Sequence, residues 1–158
     1  MRPSSATRWV LHTDGGSRGN PGPAGSGFVL RDGAGTIVCA AGHFLGDATN
    51  NRAEYDGLIR GLRSARSHGC RDLEVRMDSE LIVRQMIGRY RVKNEGLKEP
   101  FAQAKKLLRD FDEVHFVHIP RAENAEADRL ANEAMDAREA VGDATETCED
   151  DSGQGSLF

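Results

Sequence analysis

Hydrophobic and polar positions change period several times along this chain, and each change marks an element. Residues 7–14 (Thr-Arg-Trp-Val-Leu-His-Thr-Asp) predict a first strand that ends at Asp14. Residues 24–31 and 36–45 predict two more strands, and Asp32-Gly33-Ala34-Gly35 between them is a hairpin signal. The period then lengthens. From about Asn51 to Ser67, Tyr55, Leu58, Ile59, Leu62 and Ala65 fall on one helical stripe, closed by Gly69. Residues 72–78 predict a fourth strand, followed by a short helix spaced by Leu81, Ile82 and Gln85. Residues 94–110 predict a third helix with Leu97, Phe101, Ala104, Leu107 and Leu108 inward. Val114-His115-Phe116-Val117-His118-Ile119 reads as a fifth strand stopped by Pro120. A last helix, about 123–138, carries Ala127, Leu130, Ala131 and Ala134 in register. The order βββαβααβα predicts an antiparallel three-strand unit extended by parallel strands, with helices on the faces.

From about residue 139 the periodicity stops. Residues 139–158 carry six acids and no Lys or Arg, and read as a disordered acidic tail. The expected division is therefore a domain over 1–138 and a tail over 139–158. The formal net charge of −4 belongs to the tail, since the body holds 21 basic against 19 acidic residues. A mildly basic body removes an electrostatic objection to a nucleic-acid partner without proving one. No stretch has the apolar length of a membrane span, and no hydrophobic secretory core opens the chain. Cys39, Cys70 and Cys148 show no metal-ligand spacing, and their odd number argues against a disulfide framework. A reducing cytoplasm is the expected setting.

Four acids stand out: Asp14 and Asp78 at strand ends, Glu54 and Asp128 at helix starts. Each alone has an ordinary structural explanation. Asp14-Gly15 fits a turn, Asn51 with Glu54 fits a capping box, Asp78 fits an N-cap, and Asp128 fits a solvated helix face. Taken together, carboxylates at two strand ends and two helix starts can converge, and convergent carboxylates attract hard divalent cations. Two such cations about 4 Å apart can activate a water and stabilise the leaving oxygen of a phosphodiester. The site would then hold together only because cations bridge acids that otherwise repel.

The segments Thr13-Asp14-Gly15-Gly16-Ser17-Arg18-Gly19-Asn20-Pro21-Gly22, Thr49-Asn50-Asn51-Arg52-Ala53-Glu54, Met77-Asp78-Ser79 and Glu123-Asn124-Ala125-Glu126-Ala127-Asp128 occur in order and at suitable separations. Over about residues 7–138 the chain resembles type 1 ribonuclease H. The resemblance implies an α/β fold with a mixed five-stranded sheet of order 3-2-1-4-5, the first three strands antiparallel. It implies an endoribonuclease that hydrolyses the RNA strand of RNA–DNA hybrids, leaving 5′-phosphate and 3′-hydroxyl ends. Two Mg²⁺ or Mn²⁺ ions would be held by Asp14, Glu54, Asp78 and Asp128. Gly15, Gly16, Ser17, Asn20, Thr49, Asn50, Asn51 and Arg52 are the expected substrate contacts. Among them, Asn20 and Asn50 can meet minor-groove base edges and 2′-hydroxyls, and Thr49 and Arg52 can meet phosphate.

Three features depart from the family pattern. A mobile His precedes the last carboxylate in bacterial members; here the loop is Ile119-Pro120-Arg121-Ala122-Glu123, and Arg121 is the candidate for that role, as in the His-less branch. Glu80 stands where many relatives carry a Gln that touches the hybrid. The basic protrusion is missing, leaving Gly88-Arg89-Tyr90-Arg91-Val92-Lys93-Asn94 as the connection. Arg84, Arg89, Arg91, Lys93, Lys98, Lys105 and Lys106 can form a weaker basic surface, although the last three fit a solvated helix face equally well. The tail ends Gln154-Gly155-Ser156-Leu157-Phe158, similar to short sliding-clamp-binding peptides, with Gln154, Leu157 and Phe158 as anchors. A monomeric, cytoplasmic, nucleoid-associated replication enzyme is the resulting expectation. A non-catalytic hybrid- or RNA-binding module and a nuclease that also cuts double-stranded RNA stay open as alternatives.

Overall fold

The computed structural model describes residues 8–143. Strands β1 (Arg8–Ser17), β2 (Gly22–Arg31) and β3 (Ile37–Ala48) form an antiparallel meander. β4 (Asp72–Met77) lies parallel to β1 on its other side, and β5 (Glu113–His118) lies parallel to β4. Helices α1 (Asn50–Ser67), α2 (Glu80–Met86), α3 (Glu95–Leu108) and α4 (Ala125–Ala137) complete the chain, with a 3₁₀ turn at Arg121–Asn124 leading into α4. The sheet order is β5-β4-β1-β2-β3-β6. The expected order is kept and gains one strand. That strand, β6 (Val141–Gly142), pairs with Ala41 and Gly42 of β3, and Asp143 accepts a hydrogen bond from the Ala40 amide at 2.9 Å.

Past the boundary expected at residue 138, the chain is still in register with β3 through Gly142. Two paired residues are too few to carry a hydrophobic period. The remaining tail, including the clamp-peptide residues Gln154, Leu157 and Phe158, lies outside the described residues. Cys70 is buried and free. Among the described residues no helix is long and apolar enough to cross a membrane.

The helical stripe of α1 is buried as its period predicts, with Tyr55, Leu58, Ile59, Leu62 and Ala65 packed against Leu11, Phe28, Leu73 and Met77. Capping differs in detail. Thr49, rather than Asn51, caps α1 by accepting from the Arg52 amide at 3.2 Å, and Ser79, rather than Asp78, caps α2 by accepting from the Ile82 amide. Both acids assigned to ordinary capping roles are thus released from them.

Glycines set how closely helices approach the sheet. A Cβ on Gly15 would strike the Ala53 carbonyl and stand 2.6 Å from the Glu54 nitrogen; one on Gly57 would stand 2.7 Å from the Asp14 oxygen. This explains why Gly15-Gly16-Ser17 is not the loop the sequence suggested. β1 continues through it, pairing with residues 24–26 of β2, and only Arg18 to Pro21 turn. On the opposite face, a Cβ on Gly27 would stand 2.9 Å from the Ala131 nitrogen of α4, and one on Gly25 would stand 2.8 Å from the Ala131 oxygen. α1 and α4 therefore meet opposite faces of β1 and β2 almost backbone to backbone.

Gly57→Ala and Gly27→Ala should each destabilise by about 1–3 kcal/mol, the usual cost of forcing a methyl group into a packed interior. Thermal melting followed by circular dichroism checks this, and an unchanged midpoint in both variants would show that the helices can retreat freely.

Candidate active site

In the parallel ladder Thr13 pairs with Met77, so the next residues, Asp14 within β1 and Asp78 just past the end of β4, lie side by side where the two strands part. Glu54 lies one turn into α1, pressed over Gly15. Carboxylate oxygens of Asp14, Glu54 and Asp78 all lie within 4.8 Å of one another. Asp128, near the start of α4, falls outside that tight set but lines the same open cavity of about 450 Å³, together with Asn50, Arg121 and Asn132. Gly15, Gly16 and Ser17 line it from β1.

Asp14 and Glu54 are buried, whereas Arg121 is exposed and comes no nearer than 4.0 Å to Asp128. Among the described residues, Asp14, Glu54 and Asp78 make no ion pair, and Glu54 Oε1 is buried without a hydrogen-bond partner. A second acidic group, Asp72 with Glu113 and His115, shows the contrast. There Arg8 lies 3.1 Å from Asp72 and 3.8 Å from Glu113, supplying the missing charge. The Asp14 group has no such side chain. Its oxygen-rich donor set, with a desolvated and unpartnered carboxylate oxygen, fits a hard divalent cation.

Proton affinities show the same shortage of positive charge. The Asp14 carboxyl is pushed up to about 8, first by burial, then by the Asp78 charge and contact with Asp128. Glu54 is raised well above the carboxylate range, first by burial and then by Asp14 and Asp78, with Arg121 opposing. Without a cation, these acids keep protons that a cation would displace.

The expected substrate residues form a linked rim. Asn50 Oδ1 accepts from the Ser17 amide at 2.8 Å, and Asn20 Oδ1 accepts from the Asn50 amide at 3.0 Å. Both side-chain oxygens are thus used internally, which turns the NH₂ ends outward as donors. Thr49 and Arg52 line a neighbouring cavity with Arg60, Asn94 and Gly96, and Arg52 donates to the Gly96 carbonyl. Asn51 is half-buried beside them. Glu80 is engaged by Arg84 at 2.7 Å and does not line the acidic cavity. Two residues the sequence reading passed over also touch the carboxylates. Asn124 is buried beside Asp78, and Asn132 Nδ2 lies 3.4 Å from Asp128 Oδ1 while the Asn132 Oδ1 accepts from Arg18. An Asn four residues from the candidate Asp128, on either side, shares its neighbourhood and was the available signal.

A mixed sheet of this order, with acids meeting from two strand ends and two helices, defines the ribonuclease H-like class of nucleases. The comparisons narrow the class. A family model described as reverse transcriptase-like matches residues 12–134. Ribonuclease HI of Halobacterium salinarum is 45% identical over 136 residues, covering 86% of this chain and 68% of that protein. The solved N-terminal RNase H domain of Rv2228c from Mycobacterium tuberculosis superposes with a TM-score of 0.81 at 47% identity, covering 83% of this chain and 95% of that one. LC11-RNase H1, solved in complex with RNA/DNA hybrid, gives 0.78 at 47% identity over 82% of this chain and 98% of that one. This chain belongs to the ribonuclease HI family. It spans only 35% of the full-length Rv2228c protein.

The raised Asp14 pKa fixes a sign. Between about pH 4 and about pH 8 the cation-free folded state keeps a proton that the unfolded chain has lost, so stability falls as pH rises through that window. In chelator at the upper end of the window, Asp14→Asn should melt above the parent protein, and added Mg²⁺ should narrow the gap. Melting curves across pH test this; a parent protein whose midpoint does not fall across the window contradicts it.

Proposed function

We propose that this chain is an endoribonuclease that cuts the RNA strand of RNA–DNA hybrids, using two divalent cations held by Asp14, Glu54, Asp78 and Asp128. The observation that carries the reading is the convergence of three carboxylates within 4.8 Å around a buried, unpartnered Glu54 oxygen, with Asp128 on the same cavity. Mg²⁺ or Mn²⁺ suits an all-oxygen site, and a bound pair supplies an activated water and a charge-stabilised leaving oxygen. Water attacking the phosphorus, with the 3′-oxygen as leaving group, would give a 5′-phosphate and a 3′-hydroxyl.

Substrate choice falls to the rim. The outward NH₂ groups of Asn20 and Asn50 can donate to minor-groove acceptors and to a 2′-hydroxyl, which separates RNA from DNA at one strand. Ser17 holds Asn50 in that orientation. Thr49, Arg52 and Asn94 offer phosphate contacts on the adjoining cavity. LC11-RNase H1, at 47% identity, was solved with a hybrid bound, which supports carrying this substrate to the present chain.

Arg121 cannot serve as a proton-accepting base, because a guanidinium stays charged throughout the working range. Its exposed side chain at the cavity edge suits a different task, holding phosphate charge as the product leaves.

Incubating the full chain with labelled RNA–DNA hybrid, double-stranded RNA and single-stranded RNA, with Mg²⁺ or Mn²⁺, tests the proposal. Hybrid should be cut in its RNA strand, and Asp78→Asn should lower turnover by more than about 100-fold, beyond the range for merely disturbing a ligand's support. A folded Asp78→Asn protein with near-parental turnover would remove the assignment; preferential cutting of double-stranded RNA would reassign the substrate.

Arg121→Ala should lower turnover by about 10-fold, less than loss of a metal ligand, with hybrid KM nearly unchanged. Steady-state kinetics decides. If KM rises sharply while turnover stays intact, Arg121 is a substrate clamp instead.

A further inference from the structure

Asn124 ends the 3₁₀ turn Arg121–Asn124, immediately before α4 and four residues ahead of Asp128. An Asn at a helix start ordinarily caps the helix, but its side chain makes no capping hydrogen bond here. It is 1% exposed. Its Nδ2 donates to the Thr13 carbonyl at 2.9 Å and lies 3.4 Å from Asp78 Oδ2. Its Oδ1 is buried without a partner among the described residues.

These facts constrain one another. The Thr13 carbonyl and the Asp78 carboxylate are both acceptors, so only the NH₂ end of the amide can serve them. That orientation leaves Oδ1 unsatisfied, a cost that buried polar groups in folded proteins rarely carry without reason. A residue kept only for packing would be apolar at this depth. The side chain also joins three separate parts of the site: the end of β1 before Asp14, the acid after β4, and the segment that opens the helix of Asp128.

We infer that Asn124 is a positioning residue for the metal site, holding the Thr13 peptide and the Asp78 carboxylate in the spacing that lets Asp14 and Asp78 share a cation. This rests on the metal-site reading above. Asn124 is not among the residues that line the acidic cavity. It acts by fixing one oxygen of Asp78 with a donor, and by tying the two strand ends to the start of α4. The outer partners of metal ligands typically govern metal affinity by about 10–100-fold.

Calorimetric titration of the full chain with Mn²⁺, without nucleic acid, reads the effect directly. Asn124→Ala should weaken Mn²⁺ binding by about 10–100-fold. The Mn²⁺ concentration giving half-maximal hybrid cleavage should rise in parallel, with hybrid KM unchanged once Mn²⁺ is saturating. Asn124→Asp should be worse than Asn124→Ala, because it replaces the donor with a carboxylate beside Asp78 and the Thr13 oxygen. Asn124→Ser, smaller but still carrying a donor, should fall between the parent and Asn124→Ala, and it serves if the other variants do not fold by circular dichroism. Parental Mn²⁺ affinity in folded Asn124→Ala or Asn124→Ser overturns the inference, as does a raised hybrid KM with an unchanged metal requirement. A parent protein that binds Mn²⁺ but leaves hybrid uncut would fell the proposed substrate and leave the role of Asn124 standing.

Discussion

The close approach of α1 and α4 to opposite faces of β1 and β2 is the constraint on which the rest of the structure depends. Without side chains at Gly15 and Gly57, α1 can bring the Glu54 backbone down onto the end of β1. Without side chains at Gly25 and Gly27, α4 can lie against β2 from the other side, which places Asp128 at the same rim. The parallel pairing of β1 with β4 supplies the remaining acid without any helix. The acidic site is therefore set by backbone-to-backbone distances, and its four acids ride on elements that cannot move apart singly. Rigid elements hold a catalytic constellation better than loops do.

Electrostatics runs against this packing. Burial and mutual repulsion raise the proton affinity of Asp14 and Glu54, so the fold alone holds its acids at a cost. The apolar core of Leu11, Phe28, Tyr55, Leu58 and Met77 lies directly beneath and offsets it. A divalent cation bound there would reverse the sign, because its charge would offset the repulsion among the acids. Any ligand that binds only the folded state stabilises it by mass action.

Much of this was legible in the sequence, and the reasons differ by element. The stripe of Tyr55, Leu58, Ile59, Leu62 and Ala65 has a clean helical period, so α1 was readable to within a residue. The acids were conspicuous as a set because each interrupts a local pattern. Legibility failed where a residue's role depends on distant contacts. Gly15 and Gly16 look like a loop until α1 is known to press on them. Val141–Gly142 is too short for periodicity, and its pairing is decided by the edge of β3. Asn51 and Asp78 resemble caps, yet Thr49 and Ser79 do that work. Asn124 resembles an ordinary helix start, and nothing local reveals the Thr13 carbonyl behind it.

The acids lie far apart along the chain, and this bears on when the enzyme can work. Asp14 leaves the ribosome early, Asp78 midway, and Asp128 only with the last helix, which must then dock on Gly25 and Gly27 of a strand made long before. Loop closure over such separations comes late in assembly. A nascent chain that stalls before α4 would carry a nearly complete sheet and three of its four acids but an unfinished site. The four-acid cluster can therefore assemble only after α4 has been made and has docked on β2, so completion of the site is tied by topology to synthesis of that helix.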